Sequence, residues 1–262
     1  MIHADSNLKP VRMRYRHHSI EKSKIHKREM FQGTTMSLEI YSVVFWVCAI
    51  ITIALKSSES LKTKTGLIKV IKPVPALAGA VFIILTLPSA SLFYPLLAVA
   101  LVLCALGDIG MEINILPGLG FFLFSHIFYT VNFVWQSAIL GLQMIPLTIF
   151  AVCLAVMFVY IFLYQRYLKT TTKEVESAML KAVNVYALLI SLTLSTSLLL
   201  WLSSGVFLGF IPFVGAVFFV FSDSVIGIRE FHHDIKNQEI FIFTTYYLAI
   251  FLLSLGAIVY IL

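Results

Sequence analysis

The stretch YPLLAVALVLCALGDIGMEIN, residues 94–114, decides the fold. Its first fourteen positions, from Tyr94 to Gly107, carry no charge, and its length matches the roughly 20 residues an α-helix needs to cross a bilayer core. Hydrocarbon offers no water to open backbone groups, so a lipid-embedded run of this length has to be helical. The helix nevertheless carries Asp108 in its last third. An acid at a helix centre costs roughly 2.5–3.5 kcal/mol on insertion, so Asp108 needs a reason to be there.

Seven more such runs flank this one, at about 37–55, 70–87, 117–140, 143–165, 182–203, 205–228 and 239–262, separated by short polar or Pro/Gly breaks. The expectation is an all-α polytopic membrane protein, a bundle of about eight transmembrane helices forming one domain over residues 37–262. Composition agrees: 60% of the 262 residues are hydrophobic, and 11 of the 32 charged residues fall in the first 36 positions. The remaining 226 residues therefore carry 21, under a tenth, which argues against a soluble globule. Residues 1–36, with Arg12, Arg14, Arg16, Lys22, Lys24, Lys27 and Arg28, read as a basic, disordered tail lacking a signal-peptide core.

Eight crossings put both ends of the domain on one side. The segments after odd-numbered spans hold Lys56, Lys62, Lys64, Lys69, Lys72, Arg166, Lys169, Lys173, Lys181, Arg229 and Lys236, and the opposite segments hold none. The positive-inside rule makes the ends of odd spans cytoplasmic, against the pull of the basic tail. Although the net charge is +6, the basic residues form no stripe along a soluble face, so nucleic acid is not an expected partner. They read instead as topology signals and lipid-headgroup contacts.

Cys48, Cys104 and Cys153 are scattered through apolar runs and make neither a disulfide framework nor a metal cluster. Only His126 lies within a span, too few ligands for a catalytic zinc, and no nucleotide-binding or nucleophile-elbow motif is placed plausibly. No metal or cofactor is expected.

What remains is carboxylate chemistry. Asp223, in Phe221-Ser222-Asp223-Ser224, sits in the last third of span 7 as Asp108 does in span 3, and the two spans run in the same direction. Both acids thus lie at similar depth toward one face. Glu112 follows Asp108 by four residues on the same helix face. Span 4 returns past them with Ser125, Tyr129, Asn132 and Gln136 spaced as one stripe and His126 at its edge. Spans 2, 6 and 8 begin there too, bringing Lys72, Asn184, Tyr186, Tyr246 and Tyr247. Such one-sided polarity fits an aqueous pocket open to one membrane surface.

Plainer readings stand beside this one. A buried Asp also caps helices or bonds a hydroxyl across an interface, and a lone buried His is usually a satisfied core residue. Tyr41, Tyr94, Tyr246 and Tyr247 also fit an interfacial belt, and Lys72 and Arg229 fit topology-setting charges as well as phosphate anchors. A parallel four-plus-four duplication fits the spacing of Asp108 to Tyr129 (21 residues) and of Asp223 to Tyr246 (23).

At these residues the chain resembles the YhhN-like membrane proteins, a family that includes the animal lysoplasmalogenases. The motifs are Lys72-Pro73, Leu106-Gly107-Asp108, Gly120 through Phe124-Ser125-His126-Ile127-Phe128-Tyr129, Tyr186, and Phe221-Ser222-Asp223-Ser224 followed by Arg229 and Phe231. Each is short, but they recur in order on the expected spans, over nearly everything from residue 40 onward. The basic tail and Glu112 fall outside the pattern.

The resemblance implies hydrolysis of the vinyl ether bond of lysoplasmalogens, with choline or ethanolamine headgroups, to a fatty aldehyde and a glycerophospho-base. It also implies an endoplasmic reticulum location and a lysophospholipid substrate taken from surrounding membrane lipids. The residues suit that reaction, because one carboxylic acid can protonate the vinyl β-carbon and a carboxylate can activate water, as in glycosidases with their oxocarbenium-like transition state. Asp108 and Asp223 are the expected pair, nearby acids of this kind titrating as one coupled unit. His126 and Tyr129 are expected to orient water or the ether oxygen. Lys72, Arg229, Glu112, Asn132, Tyr186 and Tyr246 are the expected substrate contacts. The competing reading is a small proton-coupled transporter or lipid-binding protein, which predicts gradient-dependent flux and no product release.

Overall fold

The computed structural model describes residues 37–58, 60, 61, 63, 65–86, 91–170 and 177–260. The expected tail, residues 1–36, lies outside them, as do Lys62, Lys64 and Lys173. The chain divides into Met1–Ile40 and Tyr41–Leu262. Of the first unit only 37–40 are described, as the opening turn of a helix, and everything below concerns the second.

The described residues form helices and no strand: α1 (Ser37–Ser57), α2 (Thr65–Ile71), α3 (Val74–Thr86), α4 (Phe93–Met111), α5 (Ile115–Leu140), α6 (Met144–Leu168), α7 (Ser177–Ser204), α8 (Phe210–Phe231) and α9 (Gln238–Val259). Eight spans are long and apolar enough to cross a membrane, α2 and α3 together making the second. The chain is therefore an all-α, multi-pass integral membrane protein.

That second span begins at Gly66, four residues before the sequence-based boundary. Lys69 is consequently helical, and Lys72 sits inside the span at the break between α2 and α3 rather than at a span end. Pro73 is the physical cause, since it lacks the N–H that a continuous ladder needs. The break is stapled by Tyr247 of α9, whose hydroxyl donates to the Lys72 carbonyl at 3.2 Å.

Two antiparallel hairpins carry the acids. The α4–α5 hairpin turns within three residues, with Glu112 closing α4 and the Asn114 side chain capping α5 by accepting from Leu116 N–H at 3.0 Å. This tight turn needs small residues at its base: a Cβ on Gly110 would lie 2.7 Å from the Gly118 nitrogen. The α8–α9 hairpin is the second, and α9 also lies against α3 and α4 while α7 lies against α5, α6 and α8. Lipid gives helices no hydrophobic reason to associate, so such close backbone approach and interhelical hydrogen bonds hold the bundle together. Helix α6 is the most lipid-facing, exposing Val152, Val156, Val159, Phe162 and Leu163.

Candidate functional site

Near the Met111 end of α4 and the Phe231 end of α8 the bundle encloses a cavity of about 160 Å³. At the roughly 30 Å³ that each water occupies in the liquid, this is room for about five waters. Both Asp108 and Asp223 line it, so the two acids from separate helices reach one space. Asp108 is buried, whereas Asp223 is half-buried.

Each acid meets a phenol. Tyr246 donates to Asp108 Oδ2 at 2.7 Å, and the Tyr186 hydroxyl and Asp223 Oδ2 share a hydrogen bond. The partners come from α9 and α7. A parallel duplication would have paired Asp108 with Tyr129 as it paired Asp223 with Tyr246, and the observed pairing follows neither. Tyr129 instead sits behind α4, its hydroxyl 4.0 Å from Cys104 Sγ, which in turn lies 2.9 Å from Ser125 Oγ.

The acids differ in their charged neighbours. Lys72 Nζ lies 3.7 Å from Asp108 Oδ1 and 3.0 Å from Glu112 Oε1, and Lys56 Nζ lies 2.7 Å from Glu112 Oε2. Glu112 is thus a bridge between two lysines. Burial opposes its ionisation, but the Lys72 and Lys56 ammoniums outweigh that and hold its carboxyl below the usual range. Phe243 covers both ammoniums, at 5.3 and 5.9 Å from its ring centre. Among the described residues Asp223 has no ion pair, and Arg229 pairs with Glu230 at 2.8 Å and Glu239 at 3.1 Å at the cavity mouth.

Of the residues expected from sequence, Asp108, Asp223, Glu112, Lys72, Arg229, Tyr186 and Tyr246 line this one cavity. His126, Tyr129 and Asn132 are fully buried and do not. His126 Nε2 lies 3.2 Å from the Tyr186 hydroxyl, one group removed from Asp223, and its Nδ1 lies 3.1 Å from Thr193 Oγ1. Asn132 donates to the Phe93 carbonyl at 3.0 Å. The span-4 stripe therefore packs mainly against α4 instead of facing the cavity.

Sequence reading gave no role to Lys56 beyond loop charge, and none to Thr193, Tyr160 or Tyr164. Tyr160 lies 2.5 Å from Ser224 Oγ, and Tyr164 donates to the Ser224 carbonyl at 2.7 Å, beside Asp223. For Thr193 a signal existed: the run Ser191-Leu192-Thr193-Leu194-Ser195-Thr196-Ser197 puts five hydroxyls in an apolar helix.

Among the described residues no group of three or more His, Cys, Asp or Glu side chains is arranged to hold a metal ion. The chemistry available is acid/base work by two carboxyls in a small, half-enclosed space, one of them, among the described residues, beside a cation and the other not. No curated protein and no solved structure matches the chain. A family model described as the YhhN family matches residues 67–257, which takes in both aspartates, both tyrosine partners and all helices from α3 to α8. The chain belongs to the YhhN family, which includes lysoplasmalogenases.

Proposed function

We propose that this protein is a membrane hydrolase that cleaves the vinyl ether bond of lysoplasmalogens. The observation that carries the reading is the convergence of Asp108 and Asp223 on one cavity, each with a phenol partner and, among the described residues, only Asp108 with a cation.

The roles follow from those surroundings. Asp108, beside Lys72 and accepting from Tyr246, is the carboxylate. Asp223 is the carboxylic acid. Asp223 gives its proton to the β-carbon of the vinyl ether, and the α-carbon becomes an oxocarbenium-like cation. Water adds at the α-carbon and passes a proton to Asp108, giving a hemiacetal. Asp223 then takes the hemiacetal hydroxyl proton while Asp108 returns its own to the leaving glycerol oxygen. Aldehyde and alcohol leave, and both acids regain their starting forms. Carboxyl pairs in glycosidases divide the work in the same way.

The small cavity takes the reacting bond and water, and the chain lies along the apolar wall of Ile115, Leu119, Val183 and Ile226. Lys56 and Arg229, at the mouth, suit the phosphate, with Glu112 holding Lys56 in place. Tyr129 and Asn132 serve the α4–α5 packing, and His126 acts through Tyr186. An endoplasmic reticulum location goes with this substrate class.

The test is aldehyde release by membranes containing the protein, comparing a lysoplasmalogen with its saturated alkyl-ether analogue. Wild type is expected to cleave only the vinyl ether, and Asp108→Asn and Asp223→Asn to lose about 10²–10⁴-fold in rate. Equal attack on both lipids, or full activity in either variant, defeats the reading.

A further inference from the structure

A chain of side chains leads away from the cavity: Asp223 and Tyr186 line it, and His126, Thr193 and Thr130 continue the chain behind them. Each hydroxyl has one hydrogen and a neutral imidazole has one N–H, so the direction of one bond fixes the next. Counting therefore decides the protonation of the end group.

Thr193 Oγ1 has four neighbours. The carbonyls of His126 (3.1 Å) and Leu189 (3.2 Å) only accept, so they take the Thr193 hydrogen. Its lone pairs are then open to the two remaining partners, Thr130 Oγ1 at 3.1 Å and His126 Nδ1 at 3.1 Å. This assignment alone gives Thr193 one donated and two accepted bonds, and it puts the imidazole hydrogen on Nδ1. His126 is fully buried, and its ring meets hydroxyls, Tyr129 and Phe219, with no carboxylate in contact among the described residues. A charged ring there would bear an uncompensated desolvation cost, so the ring is neutral. Nε2 therefore presents a lone pair, which takes the Tyr186 hydrogen at 3.2 Å. With the bonds assigned this way, Tyr186 has none left for Asp223, and the hydrogen between them comes from the acid.

We infer that Thr193 and His126, acting through Tyr186, hold Asp223 as a protonated, hydrogen-donating carboxylic acid. His126 and Thr193 are positioning residues. The inference deepens the hydrolase reading by giving the general acid its proton, but the bond count does not depend on that reading. It also supplies a reason for turnover: once Asp223 gives its proton away, Tyr186 offers the carboxylate no hydrogen, so the proton is strongly taken back from the hemiacetal. Among the described residues, the titratable groups facing Asp223 are Tyr186 from α7, Tyr160 and Tyr164 from α6, and Cys104 and Asp108 from α4, with Tyr246 and Glu239 of α9 on the same cavity and Arg229 further along its own helix.

Two measurements on the full chain in lipid nanodiscs test this without substrate. In infrared difference spectra at neutral pH, a protonated-carboxyl C=O band that shifts in D2O is expected in wild type and Asp108→Asn and absent in Asp223→Asn. In nitrogen NMR of labelled histidine, the His126 signal is expected to be the Nδ1–H tautomer. Thr193→Ser keeps the hydroxyl and should keep both signatures. Thr193→Val removes the acceptor for Nδ1–H, and the band should be lost at neutral pH. In aldehyde-release assays its alkaline limb should fall by about one pH unit, the worth of one neutral hydrogen bond. An Nε2–H tautomer, no Asp223-dependent band in wild type, or an unchanged band in Thr193→Val overturns the inference. If the spectra hold and no aldehyde is released by wild type, the hydrolase reading fails and the proton assignment stands.

Discussion

Lys72→Met is the substitution whose cost the structure specifies best. The ammonium is buried, 3.7 Å from Asp108 and 3.0 Å from Glu112. At an effective dielectric constant near 20 those separations correspond to about 4.5 and about 5.5 kcal/mol of raw Coulomb attraction. Desolvation of the lysine offsets much of this, and removing one member of a buried pair typically costs about 3–5 kcal/mol, because the other charge is left unpaired. Glu112 keeps Lys56 at 2.7 Å, whereas Asp108 keeps no cation among the described residues, so the stranded charge is the aspartate. Lys72→Met should therefore lower unfolding free energy in detergent micelles by about 3–5 kcal/mol, at the level of a broken buried pair. Adding Asp108→Asn should restore most of it, since an amide needs no counter-charge, while aldehyde release stays as low as in Asp108→Asn alone. Adding Glu112→Gln instead should restore little. Equal rescue by both second substitutions, or a single variant as stable as wild type, refutes the electrostatic account of Lys72.

Other outcomes follow from the same geometry. Tyr246→Phe and Tyr186→Phe each remove a hydroxyl from a reacting carboxyl and should lower kcat by roughly 10- to 100-fold with little change in KM, as steady-state kinetics will show. Glu112 has its folded pKa below its unfolded value, so its contribution to stability is present above the unfolded pKa and is lost as pH falls through the folded one. Unfolding midpoints should thus stay level down to the ordinary glutamate range, near pH 4.3, and drop below it, and Glu112→Gln should flatten that acid-side drop. Gly110→Ala would force a methyl to within 2.7 Å of the Gly118 nitrogen, and should destabilise the α4–α5 hairpin by about 1–3 kcal/mol in the same unfolding assay.

Much of the fold was legible because lipid imposes a single rule: long uncharged runs have to be helices. All eight spans were found, and the one notable boundary shift came where Lys69 and Lys72 masked the start of the second span. Charge there signals a loop in general, but Lys72 is neutralised by Asp108 and Glu112 at the end of α4, which only tertiary contact reveals, while Lys69 is exposed. The shared depth of Asp108 and Asp223 was readable from span direction and position alone. Their tyrosine partners were not, because sequence gives depth along a helix but not which helices are neighbours. Tyr129 therefore reads as catalytic and Tyr246 only as a substrate contact, and the span-4 stripe reads as cavity-facing although most of it packs on α4. His126 was visible as an isolated buried polar group, but its separation from the cavity by Tyr186 depends on how α5, α7 and α8 meet.

Hydrolysis in D2O tests the central claim most directly. If an acid in the cavity protonates the vinyl β-carbon, aldehyde trapped as it forms carries one deuterium at carbon 2 and takes its oxygen from water, and Asp223→Asn forms essentially none. Wild-type aldehyde with no deuterium at carbon 2, or labelled aldehyde released at an undiminished rate by Asp223→Asn, would contradict it.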